Sequence, residues 1–269
     1  MRQWRLIIDS PQSGPGNMAV DEAILQAVSA GTALPTLRIY AWEPMCLSIG
    51  YGQRLADADL ERIAARGWDV VRRPTGGRAI LHGDELTYSV ALPIDDDLAQ
   101  GDVVESYRRI SEALIAALQH LGMMPESEKQ AKGNHSLGPV CFEVPSHYEI
   151  TVGGKKLIGS AQVRRKQGIL QHGTLPLTGD IARICDALAY PDKASREAAR
   201  LHVRERAITL HDACGQFIPW QQSAEALVHG FIETFDLYLN HDSLSISEQQ
   251  RAQHFAETLY WTQEWNARR

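Results

Sequence analysis

Apolar residues recur in two rhythms along this chain, every second position in some segments and every third or fourth in others, and these rhythms predict strands and helices. Val20, Ile24, Ala27 and Val28 share one helical face, with Asn17 as the expected N-cap, a helix running through Ala30 and Gly31 as its stop. "TLRIYAWEPMCLSIGYGQ" reads as two strands interrupted at Glu43-Pro44, since proline cannot donate to a ladder. A short helix is expected from Asp57 to Arg66, ended by Gly67. "WDVVRRP" and "ELTYSVALP" read as strands on either side of a glycine turn. Asp102 and Glu105 have capping-box spacing ahead of a helix with Tyr107, Ile110, Leu114, Leu118 and Leu121 on one face, ending at Gly122. Residues 123–140 read as an irregular loop. "HYEITV-GG-KKLIGSA" predicts a hairpin, because Gly-Gly suits a two-residue turn with φ above zero. "GILQHGTLPL" is a further strand. From about residue 180 the pattern is helical, with Ser223 and Ser247 as expected N-caps and Leu227, Phe231 and Phe235 as a stripe.

Strands with helices between and after them predict an α+β fold: a mixed β-sheet with flanking helices. No Pro/Gly/Ser-rich linker divides the chain. One catalytic domain over 1–269 is therefore expected, with its core at about 30–240 and a helical C-terminal part.

Composition narrows the function classes. The chain has 269 residues, 44% hydrophobic and 22% charged, which is ordinary for a globular protein with a sizeable core. A net charge of −6 argues against a nucleic-acid footprint. No apolar run approaches the ~20 residues of a membrane span, and "MRQWRLIIDSPQSGPG" is too polar for a signal-peptide core, so a cytoplasmic protein with no membrane partner is expected. The four cysteines, Cys46, Cys141, Cys185 and Cys214, are widely spaced, which argues against a disulfide framework or a zinc site; no metal is expected.

Two stretches carry candidate chemistry. In "RRPTGGRAILHGDELTYS", Gly76 and Gly77 leave backbone N–H groups open to close approach, and Arg72, Arg73 and Arg78 add positive charge. The loop suits a carboxylate, phosphate or acyl oxygen, and it is neither a P-loop nor G-x-G-x-x-G. If φ at Gly77 is negative, Gly77→Val should close the site and leave the fold largely intact. His82 is open as an acid/base group or a structural hydrogen-bonder, and Tyr88 and Ser89 read as packing residues. Cys46, Cys185 and Cys214 read as structural thiols. Cys141, in "VCFEVPS", precedes the hairpin that carries Lys155 and Lys156, and a nearby ammonium lowers a thiol pKa. The residues alone leave open whether Cys141 is a nucleophile or a strand-edge thiol beside solvated lysines.

Taken in order, "GNMAVDEAIL", "VVRRPTGGRAILHGDELTYS", "VCFEVPSHYEI", "GGKKLIGSAQVRRKQGILQHGTL" and "LYWTQEWNARR" resemble the lipoate–protein ligase/octanoyltransferase family, related in fold to the biotin protein ligases. The likeness spans nearly the whole chain. ATP-dependent ligases usually read T-G-G-G where this chain reads T-G-G-R, with Arg78 third. That departure, together with Cys141, resembles the cysteine-dependent octanoyltransferases that load the glycine-cleavage H protein. The resemblance implies Cys141 as the acyl-carrying nucleophile and Lys156, in K-x-x-G-S-A, as the group that lowers its pKa, with Lys155 a solvated neighbour. It implies a substrate site of Arg73, Thr75, Gly76, Gly77, Arg78, His82, Gly159, Ser160, Ala161, His172 and Gly173. The implied donor is octanoyl-acyl carrier protein, the implied acceptor a lysine of the H protein or another lipoyl domain, and no cofactor is needed. The alternatives are an ATP-dependent lipoate ligase, an amidotransferase between lipoyl domains, and a non-catalytic acyl- or carrier-binding protein. Arg72, Arg73, Arg164, Arg165 and Lys166 are expected to form a patch for an acidic carrier.

Overall fold

The computed structural model describes residues 1–128 and 149–269. β1 (Arg2–Ile8) leads into α1 (Gly14–Ser29), followed by β2 (Thr36–Tyr40), β3 (Cys46–Ile49), α2 (Leu60–Ala65), β4 (Asp69–Arg72), β5 (Ile80–His82) and β6 (Glu85–Pro93). After α3 (Val103–His120) come β7 (Glu126–Glu128), β8 (Glu149–Val152), β9 (Lys155–Arg164) and β10 (Gly168–Pro176). The C-terminal third holds α4 (Lys193–Arg206), α5 (Leu210–Cys214), α6 (Trp220–Phe235), β11 (Leu237–His241), α7 (Ile246–Phe255) and α8 (Gln263–Asn266).

The strands form a large mixed sheet ordered β11-β1-β2-β6-β10-β9-β8-β7 and a small sheet ordered β4-β3-β5. Alternation along β6 decides what the large sheet covers. Leu86, Tyr88, Val90 and Leu92 face α3 and α6 in the main core, beside Ile110, Leu114, Leu227 and Phe231. Each such side chain contributes roughly 1.5–3 kcal/mol by leaving water. The two helices meet closely because residue 230 is glycine: a Cβ there would lie 2.4 Å from the Ala113 carbonyl oxygen. On the opposite face α1 lays Val20, Ile24 and Val28 against Ile7, Ala91 and Leu170.

The α+β expectation therefore holds, with its mixed sheet and flanking helices. The Asp102–Glu105 capping box is present, and Gly153 and Gly154 adopt φ of 57° and 72° in the hairpin turn. Other elements differ. α1 begins earlier, capped by Ser13, and Asn17 is buried inside it with its amide on the Gln12 and Ala41 carbonyls. α6 is preceded by Pro219 and α7 is capped by Ser245 with Glu248, so Ser223 and Ser247 are not caps. β2 and β3, adjacent in sequence, belong to different sheets. The expected 123–140 loop contains β7, and its remainder from 129 lies outside the described residues. β11 emerges from a stretch read as helical, because Asp236 turns the chain at φ 51° and Leu237 then pairs in parallel with Arg2.

Candidate active site

Where the small sheet leans on β6, β9 and β10, the two sheets enclose a cavity of about 150 Å³. Nine of the residues expected to bind substrate line it: Arg73, Gly77, Arg78, His82, Gly159, Ser160, Ala161, His172 and Gly173. The strand register explains the assembly. Gly159, Ser160 and Ala161 on β9 pair with Thr174, Gly173 and His172 on β10, so two motifs thirteen residues apart in sequence become one wall. Only glycine fits at 173, where a Cβ would lie 2.3 Å from Ser160 Oγ and 2.8 Å from the Gly159 carbonyl. Met18, Trp42 and Ile80 supply apolar wall that sequence reasoning missed. Trp42 offered no signal beyond one aromatic in a strand-like run.

The opposite wall is the loop carrying Thr75 to Arg78. Arg73 is buried and holds it from inside, donating to the Gly76 carbonyl at 2.8 Å and the Arg78 carbonyl at 2.7 Å. Arg72 is fully buried and donates to the Gly50, Gln53 and Asn266 carbonyls at 2.8, 2.6 and 2.8 Å. These two arginines are interior struts and take no part in a surface patch; of the others expected there, Arg164 donates to the Ala99 carbonyl, Arg165 pairs with Glu22, and Arg165 and Lys166 are exposed. The loop packs so closely on Gly50 that a Cβ there would sit 2.0 Å from the Gly77 carbonyl oxygen. Gly77 has φ of 93°, which side chains rarely adopt, so Gly77→Val strains the backbone and cannot leave the fold untouched. A cleaner pair follows. Gly77→Ala is expected to cost about 1–3 kcal/mol, because a Cβ also meets Arg73 Nη2 at 2.8 Å. Gly76→Ala, with nothing within 4 Å of its Cβ, is expected within about 0.5 kcal/mol of the parent. Denaturant midpoints check both, and equal losses would remove the claim.

Two histidines face the cavity, each backed by a carboxylate and fronted by a hydroxyl. His172 Nε2 lies 2.7 Å from Thr75 Oγ1, and its Nδ1 lies 3.7 Å from Asp21 Oδ2. Thr75, an expected site residue, thus serves by tying the loop to β10. Asp21 is fully buried on α1 and also accepts from Arg38, Tyr40 and Ser89 at 2.8–2.9 Å. Burial pushes its carboxyl up, but Arg38 and His172 outweigh that and hold it below the usual range. His82 stacks on Trp42 at 3.9 Å between centroids; its Nδ1 lies 2.7 Å from Glu85 Oε1 and its Nε2 2.8 Å from Ser48 Oγ. Glu85 also accepts from Thr87 and Thr174, and although burial raises its carboxyl pKa, His82 and these hydroxyls bring it below normal. Tyr88 and Ser89, read as packing residues, are members of the network: the Tyr88 hydroxyl bonds Ser160 Oγ at 2.8 Å.

Burial pushes the His172 imidazole below its ordinary 6.5, and Asp21 only partly offsets it. The unfolded chain therefore binds that proton first. Stability from this group is full above pH 6.5 and is lost as pH falls below that value. Asp21 and Glu85 act at lower pH, where stability is lost as their depressed carboxyls protonate. His172→Asn is expected to flatten the melting-temperature profile just below pH 6.5 while the steeper acid limb remains. An unchanged slope there would remove the assignment.

Lys156, on β9, lies beside Gly159 of the cavity wall. It is buried, its Nζ 2.9 Å from Glu149 Oε1, and a Cβ at Gly159 would lie 3.8 Å from that Nζ. Lys155 turns away and donates to the Arg204 carbonyl at 2.8 Å, at the end of α4, so it is a helix-end partner and not merely solvated. Cys141 lies outside the described residues. Among the described residues no group of three or more His, Cys, Asp or Glu side chains is placed to hold a metal ion, and no helix is long and apolar enough to cross a membrane.

The lipoyl protein ligase A/B catalytic domain matches residues 14–232. The chain is 40% identical to an octanoyltransferase LipM of Brevibacillus brevis, over 100% of both chains. It is 36% identical to the octanoyltransferase LipM of Bacillus subtilis, over 99% of this chain and 98% of the relative. Among solved structures it superposes on the bipartite lipoate protein ligase of Thermoplasma acidophilum with a TM-score of 0.83 at 27% identity, covering 99% of this chain and 97% of the other. A lipoate-protein ligase A bound with ATP gives 0.81 at 26% identity, covering 98% of each chain.

Proposed function

The chain belongs to the lipoyl protein ligase A/B catalytic domain family, and we propose that within it the protein is an octanoyltransferase that works through a cysteine thioester. The donor is octanoyl-acyl carrier protein and the acceptor is a lysine of a lipoyl-type domain, that of the glycine-cleavage H protein first. The observation that carries the reading is the cavity itself. Its apolar walls are Met18, Trp42, Ile80, Ala161 and glycine backbone, Ser48, Arg73, His82 and His172 line its polar side, the Thr75–Arg78 loop closes it on one side, and the Lys156 side chain lies beside Gly159. Such a space suits a medium-length acyl chain whose carbonyl end meets backbone donors near Lys156. Full-length relatives at 36–41% identity carry the transferase name, whereas the structurally similar ligases are 26–27% identical, which favours transfer over ATP-dependent ligation.

The chemistry needs no nucleotide. Cys141 exchanges one thioester for another, which is nearly isoenergetic. Transfer to an amine makes an amide, which is downhill. Two easy steps replace one hard step. Lys156 is the group that favours the thiolate, and Gly77, Gly159 and Ser160 line the carbonyl end. The test incubates the protein with octanoyl carrier protein without ATP. One octanoyl mass should appear, neutral hydroxylamine should remove it, and apo H protein should discharge it onto a lysine amide. A product that forms only with free octanoate and ATP would assign the ligase reaction instead. Loading from octanoylated H protein but not from carrier protein would assign the amidotransferase.

A further inference from the structure

Ser48, His82 and Glu85 are not needed by the cysteine route, yet they lie in line. Ser48 Oγ is 2.8 Å from His82 Nε2, and His82 Nδ1 is 2.7 Å from Glu85 Oε1. The end groups fix the direction of the chain. Arg73 Nη1, which can only donate, lies 3.2 Å from Ser48 Oγ, so it takes a lone pair there. The hydroxyl proton is left for His82 Nε2, and the Nδ1 proton goes to the Glu85 carboxylate, itself anchored by Thr87 and Thr174. Trp42 holds the imidazole plane by stacking at an interplanar angle of 9°. A hydroxyl, an imidazole acceptor aimed at it and a carboxylate that orients the imidazole are the parts of an activated serine. Ser48 and His82 both line the cavity, and the Arg73 cation, 3.2 Å from Ser48 Oγ, stands beside the oxygen that gains negative charge as its proton leaves.

We propose that Ser48, His82 and Glu85 form a second, serine-based acyl-accepting site in this cavity, giving the protein a slow hydrolase activity toward medium-chain acyl thioesters and esters. The Ser48 O–H bond breaks, its proton passes to His82 Nε2, and Oγ bonds the acyl carbon. The carbon–sulfur bond of the thioester breaks, and the departing thiolate takes the proton back from His82. Water then adds to the oxygen ester with His82 as base, releasing the carboxylic acid and restoring Ser48. The sum is thioester plus water giving acid plus thiol. The proposal rests on the cavity being an acyl site and not on the role of Cys141.

An eight-carbon alkyl fluorophosphonate tests it on the wild-type protein, with the adduct mapped by peptide mass spectrometry. The adduct is expected on Ser48, in wild type and in Cys141→Ala alike. No adduct on the folded protein, or one that maps elsewhere, overturns the proposal. In the Cys141→Ala background, release of octanoate from an octanoyl thioester should fall at least ~10-fold when Ser48→Ala is added. His82→Gln should produce a similar fall and abolish the pH dependence of the residual rate. Equal rates with and without Ser48 overturn the proposal, with melting curves confirming that both variants are folded. Ser48 labelling in a protein that fails to transfer octanoate from carrier protein supports the serine site while removing the transferase reading.

Discussion

Cys141→Ser is expected to lower octanoyl transfer from carrier protein to H protein by about a thousandfold or more, while leaving the melting temperature close to that of the parent. Serine preserves size but presents a far less acidic nucleophile, and an oxygen ester passes its acyl group to amines less readily than a thioester. The other cysteines define the control. Cys46 is fully buried on β3, a Cβ at Gly14 would lie 2.3 Å from its sulfur, and burial pushes its thiol well above the ordinary range, with Asp69 and Glu85 adding to the effect. Cys185 is fully buried in the cluster around Ile184 and Leu188. Cys214 ends α5 with its sulfur on the Gln216 carbonyl at 3.0 Å. None of these three lines the cavity. Cys46→Ser, Cys185→Ser and Cys214→Ser should therefore keep loading one octanoyl mass, although a buried serine hydroxyl at 46 or 185 should cost stability, roughly 1–3 kcal/mol. Persistence of the hydroxylamine-labile adduct in Cys141→Ala would sink the assignment.

The motifs were legible where one strand or one turn carried them. The Gly-Gly hairpin, the Asp102 capping box and the helical stripe through Leu227 and Phe231 need only local rules, and all are present. The substrate residues were legible as motifs, but their mutual placement came from register, which pairs Gly173 with Ser160 and with Tyr88 across three strands. The buried polar groups were not legible. Asp21 lies on a helix whose apolar face was read correctly, and only the packing of α1 on the sheet brings it to Arg38 and His172. Arg72 and Arg73 read as surface charge because arginines usually are. The interior place of Arg72 depends on carbonyls from Gly50, Gln53 and Asn266, the last 194 positions away, and that of Arg73 on those of Gly76 and Arg78. Ser48 and Glu85 sat in stretches that read as strand, and no local pattern joins a serine to a histidine 34 residues later.

Lys156 carries two burdens, and one set of variants separates them. Its ammonium and the Glu149 carboxylate are both buried, 2.9 Å apart. Removing one member of such a pair leaves an uncompensated charge and typically costs about 3–5 kcal/mol, whereas replacing both by apolar groups of similar volume is often neutral or stabilising. Lys156→Met is thus expected to lose about 3–5 kcal/mol of stability and nearly all transfer. Glu149→Leu alone should destabilise as well, because it takes a carboxylate 2.9 Å away from a buried ammonium. The double variant Lys156→Met, Glu149→Leu should recover most of the stability and none of the transfer, since no apolar pair keeps a cysteine ionised. Alkylation of Cys141 should shift to higher pH in the double variant, each unit corresponding to about 1.4 kcal/mol of lost preference for thiolate. Lys155→Met should leave that profile in place, because the Lys155 ammonium is held on the Arg204 carbonyl at the end of α4. A stable double variant that still transfers octanoate would confine Lys156 to the fold.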